Sequence, residues 1–107
     1  MAAIYEPVTI EWDGKEWEVT PTYRMVQKLE QNVSIAGLAA RLEEGQPPIS
    51  HIAYVIAFLL TQAGKPVSAD DVYAAMVTDL DPSQMQSLAS VAVSAFVPGK
   101  SSGSGEQ

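Results

Sequence analysis

One stretch constrains the fold of this chain more than any other: Ile52–Leu60 is an unbroken apolar run with no polar side. A run of this length fits a buried strand or a buried helix, but its alanines and the start signal Pro48-Ile49-Ser50 favour a helix that ends near Gly64. A helix that is apolar all round must be covered on every side. Because a membrane span needs about 18 to 20 apolar residues, the segment is predicted to be the central helix of a soluble core.

The composition limits the chain to one domain and excludes some partners. At 107 residues and 47% hydrophobic content, the chain is large enough for one core and too small for two. Thirteen acidic and six basic residues give a net charge of -7, and the basic residues are scattered singly. Nucleic acid and membranes are therefore not expected as partners. The sequence has no cysteine and no N-terminal secretory signal, so the cytoplasm is the expected location.

Residues 7–20 carry the only clear strand signal, because apolar and polar residues alternate on both sides of Asp13-Gly14. A two-residue type I′ turn at this dipeptide would place every apolar residue of the hairpin on one face. The predicted pairs are Trp12 with Lys15, Ile10 with Trp17 and Val8 with Val19. In this register Glu11 lies opposite Glu16, so the other face is acidic and either stays in water or meets a basic partner.

The rest of the chain predicts a bundle of short helices. Their expected ranges are about 22–32, 35–44, 50–63, 68–80 and 82–97, followed by a flexible tail at 98–107. The fold class is therefore mainly α, of the α+β type: residues 1–97 form one domain in which the hairpin packs on about five helices around the central one. Asn32 is expected to end the first helix in a left-handed conformation. The helix at 68–80 is expected to bury Val72, Tyr73, Met76, Val77 and Leu80.

The expected core combines the hairpin tryptophans with the apolar stripes of the helices. Its predicted members are Trp12, Trp17, Leu29, Ile52, Val55, Ile56, Leu59, Met76, Leu88 and Phe96.

The last helix has two usable faces. Its predicted core stripe consists of Met85, Leu88, Ala92, Ala95 and Phe96, and its opposite side carries Ser83, Ser87, Ser90 and Ser94. The serine side, with Val93 and Val97 beside it, is either a weakly polar wet face or a docking surface that a partner helix could approach closely. As a docking surface, it predicts that Val93→Glu leaves the domain folded and weakens association.

No group of residues in the sequence predicts catalysis, a metal site or a cofactor. His51 is the only histidine, and on a helix its neighbour Ser50 points about 100° away from it. The sequence also suggests no acid that would orient His51 in a catalytic serine-histidine-acid triad. The acid pairs Glu43-Glu44 and Asp70-Asp71 lack the spacing of a calcium loop. The chain is therefore not expected to be an enzyme.

Several segments resemble the small tail assembly chaperones of long-tailed bacteriophages, and are similar also to tail proteins of gene transfer agents. The resemblance covers roughly residues 6–97. It rests on Asp-Gly before Lys-Glu-Trp-Glu-Val, on Thr-Tyr-Arg-Met-Val-Gln-Lys-Leu-Glu, on the central apolar helix and on Val-Ser-Ala-Asp-Asp-Val. Asn32 stands where members of that family often have a glycine.

The resemblance implies a non-enzymatic protein, made in the cytoplasm of the bacterial host cell, that binds the tape measure protein, keeps it soluble and helps recruit tail tube subunits. It also implies self-association in many members. Partner contacts are expected at Tyr23 and Arg24 of the first helix, or at Ser87, Ser90, Val93, Ser94 and Val97 of the last.

Two other functions stay open at this point. One is a structural tail or head-tail component that is retained in the virion. The other is a small acidic inhibitor whose hairpin imitates nucleic acid, in which case reversing the charges of Glu11, Glu16 and Glu18 would abolish activity without unfolding.

Overall fold

The computed structural model describes residues 5–45 and 48–96, and these residues form a two-stranded hairpin followed by five helices. In chain order the elements are β1 Val8–Trp12, β2 Lys15–Val19, α1 Tyr23–Leu29, α2 Ile35–Glu43, α3 Ile49–Ala63, α4 Ala69–Asp79 and α5 Pro82–Ser94. The predicted α+β class is confirmed. The tail at 98–107 lies outside the described residues.

The hairpin has the predicted register. Trp12 pairs with Lys15, and Glu11 lies opposite Glu16. Asp13 and Gly14 have φ angles of 58° and 77°, as a type I′ turn requires. The Trp17 indole N–H donates to the Trp12 carbonyl at 3.2 Å, which ties the two tryptophans together.

Helix α3 is the centre of the core. It runs from Ile49 to Ala63 and ends at Gly64, whose φ of 107° suits a residue without a side chain. Helices α4 and α5 and strand β2 pack around it. Its buried residues are Ile52, Ala53, Val55, Ile56, Ala57, Leu59 and Leu60.

Helix α1 is shorter than predicted, because it ends at Leu29 rather than near Asn32. The left-handed cap predicted at Asn32 is wrong: Glu30 is the C-cap in a right-handed conformation, and Asn32 is not among the described residues with positive φ. The side-chain amide of Asn32 instead donates from Nδ2 to the Tyr54 hydroxyl of α3 at 2.9 Å. Asn32 therefore contributes a tertiary hydrogen bond through its side chain, while its backbone N–H donates to the Leu29 carbonyl in a turn without a left-handed residue.

Helix α4 begins at the predicted cap, since the Ser68 hydroxyl accepts from the Asp71 N–H at 3.1 Å. It buries Val72 and Met76. The prediction that Tyr73 and Val77 are buried is wrong, because they are 44% and 50% exposed. The helix therefore uses a narrower stripe than its apolar residues suggested.

Helix α5 starts at Pro82 behind a reciprocal cap. Asp81 accepts from the Gln84 N–H at 2.8 Å, and the Gln84 side chain accepts from the Asp81 N–H at 3.0 Å. The buried stripe consists of Ala89, Ala92 and Val93. The helix is thus rotated towards Val93 relative to the predicted core stripe, which leaves Met85 and Leu88 half-buried.

The structure separates the expected core residues into two groups. Buried are Leu29, Ile52, Val55, Ile56, Leu59, Met76 and Phe96. Half-buried against this core are Trp12, Trp17 and Leu88.

Candidate interaction groove

A hollow in the described surface lies between strand β1 and helix α5, and we call it the β1–α5 groove. It is open to solvent and encloses about 490 Å³. Its lining residues are Thr9, Ile10, Glu11, Trp12, Glu16, Leu80, Ser83, Gln84, Ser87, Leu88 and Val91.

The α5 wall of the groove follows the helical repeat. One row consists of Gln84 and Leu88, and a second of Ser83, Ser87 and Val91, each spaced by four residues. Leu80, which follows the last residue of α4, lies beside them in the lining. Leu80, Leu88 and Val91 are all half-buried, so each keeps apolar surface exposed to the groove. The wall therefore combines apolar contact area with small hydroxyl groups.

The hairpin wall adds apolar residues from one face of β1 and acids from the other. Ile10 and Trp12 point to the core side, where Ile10 is fully buried and Trp12 half-buried. Glu11 and Glu16 are exposed and directly opposed across the ladder. Directly opposed like charges in a sheet are mildly unfavourable, so a cation at this position would relieve a repulsion that the free protein carries.

No basic side chain belongs to the lining of this groove. The nearest one along the hairpin, Lys15, has its amino group 6.0 Å from the centre of the Trp17 ring on β2. Lys65 pairs with Asp13 at the hairpin turn, with 3.7 Å between nitrogen and oxygen. The carboxylates of Glu11 and Glu16 are therefore not neutralised by a described ion pair.

The residues predicted to bind a partner are dispersed in the structure. Tyr23, 65% exposed, and Arg24 lie at the start of α1, away from the groove lining. Ser87 lines the groove, and Ser90 is exposed on the same helix. Ser94 is half-buried, and its hydroxyl donates to the Val91 carbonyl at 3.5 Å.

Of the two valines on the predicted docking face, only Val93 is among the described residues. The prediction that Val93 lies on an exposed face is wrong, because its side chain is 8% exposed and belongs to the core cluster. Val97 lies outside the described residues. The serine side of α5 therefore loses the apolar area that Val93 was expected to provide.

Sequence reasoning missed the groove because it treated the acidic hairpin face and the last helix as unrelated surfaces. The signal was present in two places: the register exposes the outer edge of β1, and Val91 follows Ser87 by one helical turn. Only the packing of β1 against α5 brings Glu11 and Leu88 to one hollow.

The described residues were also compared with the requirements of a metal site and of a membrane span. Within 5–45 and 48–96, no three histidine, aspartate or glutamate residues are grouped so that they could hold a metal ion. None of the described helices is long and apolar enough to cross a membrane. His51 is exposed on the first turn of α3.

Comparison with known proteins gives one family match. The model of a family described as phage tail tube protein, GTA-gp10, matches residues 6–99, which is most of the chain. Neither the curated proteins nor the solved structures give a match.

Proposed function

Because this chain belongs to the family described as phage tail tube protein, GTA-gp10, we propose that it is a structural component of a phage or gene transfer agent tail. It acts by contact with other tail proteins, and not by catalysis. The observation that carries the proposal is the family match, which spans the hairpin, all five described helices and the groove between β1 and α5.

The surface of the domain supports a role in protein contacts. The groove presents half-buried Leu80, Leu88 and Val91 beside two exposed carboxylates. On α4, Tyr73 and Val77 lie one turn apart and expose further apolar area. Apolar area bordered by polar and charged residues is typical of surfaces that bind another protein.

Mass spectrometry of purified particles tests the proposal. A structural component is expected in particles at a fixed ratio to the other tail proteins, and it should remain after washing in high salt. Particles from a strain that lacks the gene provide the control. Absence of the protein from intact particles, at a detection limit below one copy per tail, would overturn the structural role.

The second candidate function is that of a tail assembly chaperone, which acts in the host cytoplasm, binds the tape measure protein and recruits tail tube subunits. The small helical fold and the net charge of -7 favour it, because a strongly charged domain keeps an associated aggregation-prone chain in solution. Co-expression with the adjacent tape measure gene tests it. A chaperone raises the soluble fraction of the tape measure protein and is absent from finished particles, whereas a structural component remains in them.

A further inference from the structure

The hairpin leaves one row of backbone hydrogen-bonding groups directed towards the groove. In a hairpin closed by a two-residue turn, Trp12 and Lys15 form a hydrogen-bonded pair, and the pairs then alternate along the ladder. Thr9 and Glu11 therefore lie in the pairs without mutual hydrogen bonds, and their N–H and C=O groups point away from β2. Both residues line the β1–α5 groove.

These backbone groups have no other partner among the described residues. No backbone or side-chain hydrogen bond outside the ladder involves Thr9 or Glu11 in residues 5–45 and 48–96. Helix α5 lies beside β1 without hydrogen-bonding to it, because a helix satisfies its own backbone groups. The edge is therefore open to a further strand, which is a common way for a sheet to bind an extended peptide.

The side chains around this edge specify what such a strand should carry. On one face of β1, Glu11 and its cross-strand neighbour Glu16 present two carboxylates without a described ion pair. On the other face, Trp12, Leu88 and Val91 present apolar surface. Because successive residues of a strand point to opposite faces, a segment that alternates basic and apolar residues complements both.

A second copy of the chain does not fit this edge. Pairing of β1 with β1 of another copy would bring two Glu11 and two Glu16 carboxylates onto one face of a four-stranded sheet, where they repel. A partner helix would contact the apolar wall but would leave Thr9 and Glu11 without hydrogen bonds. The charge and the open edge together favour an extended, basic segment.

We infer that the β1–α5 groove binds an extended segment of another protein, with alternating basic and apolar residues, as a third strand on the free edge of β1. The inference rests on the proposed function only in that the partner is a protein. It holds equally for a structural component and for a chaperone.

Binding of the full chain to three synthetic peptides tests the inference. The first alternates lysine and valine over seven residues, the second has the same composition with the lysines and valines in separate blocks, and the third alternates glutamate and valine. The alternating basic peptide is expected to bind at least about tenfold more tightly than either of the others. Equal binding of the alternating and block peptides would overturn the inference, because it would show charge attraction without strand pairing.

Hydrogen exchange provides the direct measurement of strand pairing. The alternating basic peptide is expected to slow exchange at the amides of Thr9 and Glu11, which point into the groove, and to leave the outward amide of Glu18 on β2 unchanged. Unchanged exchange at Thr9 and Glu11 in the saturated complex would overturn the inference.

Matched variants separate the backbone contribution from the charge contribution. Thr9→Pro removes an outward N–H and is expected to weaken binding about tenfold, whereas Thr9→Val retains the N–H and binds within about twofold of the original. If circular dichroism shows that Thr9→Pro is unfolded, the charge variants decide. The double variant Glu11→Lys/Glu16→Lys should bind the alternating basic peptide about tenfold more weakly. Glu18→Lys, whose residue lies outside the groove lining, is the control and should have little effect on binding. Equal losses of affinity in the double variant and in the control would overturn the inference.

These results are independent of those from particles. A protein that is present in tails but does not bind the alternating peptide would retain its structural role and lose only this inference.

Discussion

Helices α3 and α5 both lack aspartate, glutamate, lysine and arginine, but the core encloses much more of the first. Helix α3 is mostly apolar, whereas α5 carries four serines and two glutamines. Helix α3 buries seven of its 15 residues, whereas α5 buries three of its 13. The difference follows from composition and from position: α4, α5 and β2 pack around α3, while the outward side of α5 faces the β1–α5 groove.

The comparison shows that weakly polar residues leave the orientation of a helix undecided. In α3 the apolar run must be largely covered, and only its Tyr54 and Phe58 remain half-buried. In α5 the serines and glutamines can lie in water or near a partner at little cost, so packing against α3, α2 and β1 decides which side faces inward. In this orientation of α5, Leu88 and Val91 lie half-buried at the groove.

The largest effect is expected for Leu59→Asp on α3, which should unfold the domain. Leu59 is fully buried, so the change loses packing worth about 2 to 5 kcal/mol and leaves a carboxylate in the core without a partner, at a cost of several kcal/mol more. Circular dichroism and a thermal melt measure the loss. His51→Asp, on the exposed first turn of the same helix, is the control and should melt close to the original protein.

Val93→Glu on α5 should also destabilise the domain, by about 2 to 4 kcal/mol, which is the opposite of what the sequence predicted. Val93 is only 8% exposed, and the glutamate can reach water only in part by extending along the helix surface. Urea unfolding measures the change. Ser90→Glu, three residues earlier and exposed, should cost less than about 0.5 kcal/mol. Equal stabilities of the two variants would show that α5 turns its Val93 side to solvent.

The hairpin and helix α5 show how far the sequence could predict the structure. The hairpin register follows from local chemistry, because Asp13-Gly14 permits one turn type and a slip of one residue would mix the faces of Ile10 and Glu11. The orientation of α5 depends on the elements that pack against it, and the hydrophobic periodicity of the sequence does not specify this packing. The groove was missed for the same reason, since it exists only where β1 and α5 meet.

A smaller effect is expected at the start of α5. Asp81→Ala removes the side chain that accepts from the Gln84 N–H and should cost about 1 kcal/mol. Gln84→Ala should cost less, because it removes only the return hydrogen bond to the Asp81 N–H. Thermal melts of both variants and of the double variant measure the coupling between them. Fully additive losses would contradict a reciprocal cap.

The smallest effect is expected where α3 meets the segment before α2. Asn32→Gly should destabilise the domain by about 0.5 to 1 kcal/mol, because it removes the hydrogen bond to the Tyr54 hydroxyl and gives the unfolded chain more freedom. Tyr54→Phe removes the same bond without changing the backbone and should cost somewhat less. The two variants, compared by urea unfolding, also decide between the structure and the sequence prediction. If Asn32 had a left-handed backbone, replacing it by glycine would stabilise the domain. A gain in stability for Asn32→Gly, together with no change for Tyr54→Phe, would therefore show that Asn32 ends α1 and does not hydrogen-bond to α3.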